Sequence, residues 1–79
     1  MGIRDYIRIK VLLKGYSSLY DFCRKNQLDY HKVWEVLHFL RTSRPLVFKI
    51  AELLEAPELL FMYEKERREK GGKNEGSSF

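Results

Sequence analysis

LYDFCRKNQLDYHKVWEVLHFL, residues 19 to 40, contains two short amphipathic segments separated by so few residues that only a tight turn fits between them. In the first, Leu19, Phe22, Cys23 and Asn26 fall on one side of a helix, while Asp21, Arg24 and Lys25 fall on the other. In the second, Val33, Val36, Leu37 and Leu40 follow the i, i+3, i+4, i+7 spacing of a buried helical stripe, which predicts a helix from Tyr30 to Leu40. At about 100° per residue, its opposite side is centred on His31, Glu35 and His38, with Tyr30 and Trp34 on one flank and Lys32 and Phe39 on the other. Ser18 and Asp29 precede the two helices as N-caps, because their side-chain oxygens can accept from otherwise unpaired amides. Asn26-Gln27-Leu28-Asp29 must then reverse the chain.

Outward from this pair, Ile3 to Lys14 reads as a first helix with Tyr6, Ile9, Leu12 and Leu13 on its inner face, stopped by Gly15. Ile3, Ile7 and Val11 form a second apolar line, to be covered by the carboxy-terminal segment or by a partner chain. Beyond residue 40, Arg41-Thr42-Ser43-Arg44 is a basic loop, and Pro45 suits the first turn of a fourth helix, where its missing N–H costs nothing. Leu46, Val47, Ile50, Leu53 and Leu54 are that helix's buried side, and Phe48 is left exposed. Pro57 starts a fifth segment docked by Leu59, Leu60, Met62 and Tyr63. The charged run from Glu64 to Lys70 could be supported by Glu64–Arg68 and Glu66–Lys70 pairs at i, i+4. Residues 71–79 have nothing to bury and are expected to form a disordered tail, leaving one domain over residues 1–70. The fold class implied is all-α, a compact bundle of about five short helices.

Composition narrows the function classes. A chain of 79 residues has room for one small core, and its 44% hydrophobic content is ample for folding. Cys23 is the only cysteine, which excludes an internal disulfide and fits a reducing compartment, so a cytoplasmic location is expected. No apolar run approaches membrane-spanning length, so no membrane partner is expected. The net charge of +4 is unevenly placed: residues 1–50 hold ten Lys or Arg against four Asp or Glu, and residues 51–79 hold five against seven. The positive half contains the paired helices, and a basic surface attracts phosphates through counterion release. His31, Glu35 and His38 share a face, but seven residues of helix put the histidines about 10.5 Å apart, too far to share an ion. With no nucleophile–base pair or phosphate-binding glycine loop either, no enzymatic activity, cofactor, metal or small-molecule substrate is expected.

The order helix, glycine, helix, tight turn, helix, basic loop ending in Arg-Pro, and then KIAELLEAPELL resembles the lambda-repressor-like (Cro/repressor-type) helix-turn-helix domain. Within that group KGYSSLYDFCRKNQLDYHKV is most similar to the Ner-like phage transcriptional regulators. The similarity covers roughly residues 7 to 61. Departures are Cys23 where alanine is usual, Gln27 where glycine is usual, and one extra residue between Gly15 and Leu19. The outer face of the third helix also lacks the Arg, Asn and Gln that often read bases.

The resemblance implies a sequence-specific DNA-binding regulator, a repressor of phage or mobile-element type, whose third helix enters the major groove of double-stranded DNA. It implies base contacts from Tyr30, His31, Trp34 and Glu35, and phosphate contacts from Ser18, Lys32, Arg41, Ser43 and Arg44. Homodimerisation would use Phe48, Tyr63 and the Ile3, Ile7, Val11 line. The aromatic third-helix face and the second apolar line of the first helix also suit a protein-interaction module, and exposed Tyr and Trp could stack on unpaired RNA bases.

Overall fold

A computed structural model describes the backbone of residues 2–77 and the side chains of residues 2–69. Among the described residues there are five helices and no strand: α1 (Ile3–Leu13), α2 (Leu19–Lys25), α3 (Tyr30–Leu37), α4 (Arg44–Leu53) and α5 (Glu58–Ser77). The chain is therefore all-α, as its periodicity predicts. None of these helices is long and apolar enough to cross a membrane.

Local chemistry sets the helix starts. The Ser18 hydroxyl accepts from the Asp21 amide at 3.0 Å, and the Asp21 carboxylate accepts from the Ser17 amide at 3.0 Å, so two end groups are satisfied reciprocally. Asp29 caps α3 by accepting from the Lys32 amide at 3.2 Å. Ser43 occupies the N-cap position of α4 without a side-chain cap bond, and Pro45 lies in the first turn.

The helix ends share one device. After α1, α2, α3 and α4 the chain places Gly15, Gln27, Phe39 and Glu55 in the left-handed region, with φ of 97°, 59°, 60° and 53°. In each case the amide of the following residue reaches back over the last turn, from Tyr16 to Val11, Leu28 to Cys23, Leu40 to Glu35 and Ala56 to Ala51, at 2.8–3.1 Å. These paired 6→1 and 5→2 bonds form the Schellman closure, which satisfies carbonyls that a helix end otherwise leaves unpaired. Asn26 adds a brace by donating to the Tyr16 hydroxyl at 3.2 Å and the Phe22 carbonyl at 2.8 Å.

Among the described residues fifteen hydrophobic ones, drawn from every helix, form one core, with Phe22 and Tyr63 among its largest fully buried members. The inner faces of α2 and α3 are buried as expected at Phe22, Cys23, Val33, Val36 and Leu37. In α1 the two apolar lines exchange roles. Ile3, Ile7 and Val11 are the buried line, while Ile9, Leu12 and Leu13 are exposed and Tyr6 is half-buried. The reason is that α5 packs along the Ile3–Val11 side, held by Glu66 accepting from the Ile3 amide, Glu58 from the Tyr6 hydroxyl and Glu55 from Lys14. The carboxy-terminal segment is thus the cover that this line requires.

α3 also stops at Leu37 rather than Leu40, because Phe39 turns left-handed and stacks its ring on Tyr63 with centroids 5.5 Å apart. Leu40 is consequently 68% exposed and does not belong to the core stripe. α5 runs from the docked Glu58 turn to Ser77, and the side chains of the residues expected to form a tail, 71–79, lie outside the described ones. Residues 78 and 79 lie outside the described residues. Glu64 pairs with Arg67 at 3.4 Å and Arg44 at 2.9 Å instead of with Arg68. The side chain of Lys70, the expected partner of Glu66, lies outside the described ones.

Candidate functional site

The outward side of α3 is where the chain concentrates chemistry that the core does not use. With Val33, Val36 and Leu37 sealed inside, Tyr30, His31, Lys32 and Trp34 are exposed on one short helix, and Glu35 is partly so. Tyr30 is steadied from α2, where Tyr20 meets it edge-to-face with centroids 5.3 Å apart. Glu35 accepts from Arg41 Nε at 3.1 Å and lies 3.8 Å from His31 Nε2, so it ties the loop after α3 back to the helix. Trp34 stacks on His38 with centroids 3.9 Å apart. Arg4 from α1 lies 3.4 Å from His38 Nδ1; guanidinium groups only donate, so Nδ1 acts as the acceptor.

Trp34, Leu37 and His38 form one wall of a groove of about 330 Å³, whose other walls are Arg4, Arg8 and Leu12 of α1 and Ser17 to Leu19 at the start of α2. Arg4 and Arg8 are functional candidates that sequence reasoning missed. They are 26 residues or more from the α3 residues they face, so local periodicity carries no signal for them. Their only sequence sign was the basic excess of the amino-terminal half.

Charge pairing sorts the basic residues. Lys10 is 3.7 Å from Glu58, Lys14 pairs with Glu55, Lys25 with Asp21 at 3.3 Å, and Arg44 with Glu64 at 2.9 Å. Among the described residues Arg8, Arg24 and Lys32 enter no ion pair on α1, α2 and α3, and neither do Lys49, Lys65 and Arg68 on α4 and α5. The acidic carboxy-terminal half therefore neutralises cations away from α3. Of the five residues expected at phosphates, Lys32 and Ser18 lie at the starts of α3 and α2, and Arg41 leans on Glu35. Ser43 and Arg44 open α4, with Arg44 drawn toward α5.

Four of the five residues expected to form a partner surface do not reach one. Ile3, Ile7, Val11 and Tyr63 are at most 1% exposed, because α1 and α5 close on each other, whereas Phe48 is 57% exposed. Cys23 is fully buried, and burial, with a smaller effect from Asp29, pushes its thiol up to about 11, so it is a packing residue. Among the described residues no three His, Cys, Asp or Glu side chains lie close enough to hold a metal ion. No protein-family model, curated protein or solved structure matches the chain.

Proposed function

We propose that this chain is a small sequence-specific DNA-binding regulator of the lambda-repressor-like, Ner-like kind, which inserts α3 into the major groove and represses by occupying an operator. The observation that carries this reading is the division of α3. One side is completely buried, while the other presents hydrogen-bonding and aromatic side chains beside Lys32, Arg8 and Arg24, which no carboxylate among the described residues neutralises. Tyr30 and His31, nearest the amino-terminal end, reach base edges: the phenol donates or accepts, and the imidazole donates to guanine. Glu35 accepts from cytosine with the carboxylate oxygen not held by Arg41. Trp34 covers sugar and base edge from the flank. Lys32, Arg8 and the Ser18 hydroxyl contact phosphates, as do Arg41 and Ser43, and Arg44 does so in competition with Glu64.

The test is selection from random duplex DNA with the purified protein, followed by affinities of variants at several salt concentrations. Lys32→Ala should weaken binding to all sequences alike and reduce the log–log salt slope by about 1. His31→Ala and Glu35→Gln should instead change the preferred sequence. If all three variants affect every duplex equally, direct reading by α3 is wrong.

A second reading, an adaptor that binds another protein, is favoured by the exposed Leu12 of α1, which lines the Trp34 groove. Native mass measurement separates the two readings. A stable protein complex without salt-dependent retention on DNA, and without binding to single-stranded RNA, supports the adaptor.

A further inference from the structure

The outer face of α4 follows a charge pattern of which the DNA-reading proposal uses only Arg44. Arg44, Phe48 and Glu52 recur every four residues, which puts a cation, an aromatic ring and an anion in line along one side of the helix. Phe48 is 57% exposed and stands between two recesses of the α4–α5 surface, of about 370 and 230 Å³, both lined by Leu60. The Arg44 side chain is 67% exposed while its Nε lies 2.9 Å from Glu64, so one edge of the guanidinium is tied to α5 and most of the side chain is open to solvent. Glu52 is exposed and enters no ion pair among the described residues.

A line of positive, apolar, negative has a specific symmetry. Laid antiparallel on a copy of itself about a two-fold axis through the aromatic residue, it brings each cation onto the opposing anion. We infer that this face is the interface of a homodimer in which two α4 helices pack antiparallel about Phe48. Each ring enters a recess beside the partner's ring, and Arg44 of each copy meets Glu52 of the other. A second copy is the occupant that this pattern selects, because every charge it presents is answered by its own sequence in reverse.

Sedimentation equilibrium of the full chain without DNA tests the interface and its register independently of any DNA binding. Wild type should self-associate at submillimolar concentration. Arg44→Glu sets Glu against Glu twice per dimer, Glu52→Arg sets Arg against Arg twice, and each should weaken association about tenfold or more. An equimolar mixture of the two variants forms a heterodimer with both contacts complementary, and association should return. Phe48→Ala should also weaken association, with unchanged helical circular dichroism because the ring is exposed. A wild type that stays monomeric, charge variants that associate like wild type, or a mixture no tighter than its components would each overturn the proposal.

Discussion

Gln27 holds a φ of 59° at the turn between α2 and α3, where a side chain crowds its own backbone. Glycine avoids that crowding, so Gln27→Gly should stabilise the protein by about 0.5–1 kcal/mol in urea unfolding. Phe39 adopts nearly the same φ but stacks on Tyr63, so Phe39→Gly should destabilise despite relieving the same crowding. Two identical backbone states thus give substitutions of opposite sign. Tyr63 itself is 1% exposed, and its hydroxyl has no hydrogen-bond partner among the described residues. An unpaired buried hydroxyl costs about 1–3 kcal/mol, so Tyr63→Phe should raise the unfolding midpoint. A lowered midpoint would mean that the hydroxyl has a partner after all.

Among the elements, α2 depends most on its cap, having only seven residues. Ser18→Ala should cost about 1 kcal/mol of stability. The reciprocal group, Asp21, is held below its usual carboxylate range, first by the Ser17 amide and then by Lys25. A carboxylate with a depressed folded value contributes stability above its unfolded pKa of 3.8 and loses that contribution as pH falls through the folded value. Asp21→Asn should therefore flatten the acid limb of the stability profile below about pH 4, while Ser18→Ala shifts the whole curve. In α1 the buried line is decisive: Ile7→Ala should cost about 2–5 kcal/mol, and Leu13→Ala should stay within about 0.5 kcal/mol of wild type.

These elements also mark what sequence can convey. Ser18, Asp29 and Pro45 announce helix starts because a cap is a contact between residues three apart or fewer. Gly15 announces an end for the same local reason. The end of α3 has no such sign: Phe39 is tolerated there through Tyr63, which lies 24 residues away, and the apolar spacing runs on to Leu40 regardless. For α1, periodicity detects two apolar lines and gives no reason to prefer either until the position of α5 is known. The candidate site divides similarly. Its α3 residues follow from helical geometry, whereas Arg4, Arg8 and the tie from Arg41 to Glu35 exist only once distant segments meet.

For the whole molecule, charge is arranged by folding as well as by composition. Glu55, Glu58 and Glu64 of the acidic half neutralise Lys14, Lys10 and Arg44, fastening α4 and α5 and their linker to the basic elements, while Arg24 and Lys32 on α2 and α3 enter no ion pair among the described residues. Glu55 and Glu58 are held below their usual range by these hydrogen bonds, Glu55 through Lys14 and Glu58 through Tyr6. At low pH their protonation releases two of the ties between α1 and the start of α5 while the cations remain. The expected first opening on acidification is therefore separation of α5 from α1, visible as early exchange of the amides of Ile7 and Val11. Uniform exchange across all five helices would indicate a single cooperative unit instead.

Trp34 is the chain's single tryptophan, 38% exposed and stacked on His38. Its emission colour depends on how wet the ring is, and its brightness on the imidazole against it. The protein therefore carries a built-in optical probe at the place where its function is proposed to lie. A blue shift on adding duplex DNA, absent with a protein whose α3 face is altered by Lys32→Ala and His31→Ala together, would locate the ligand without any label.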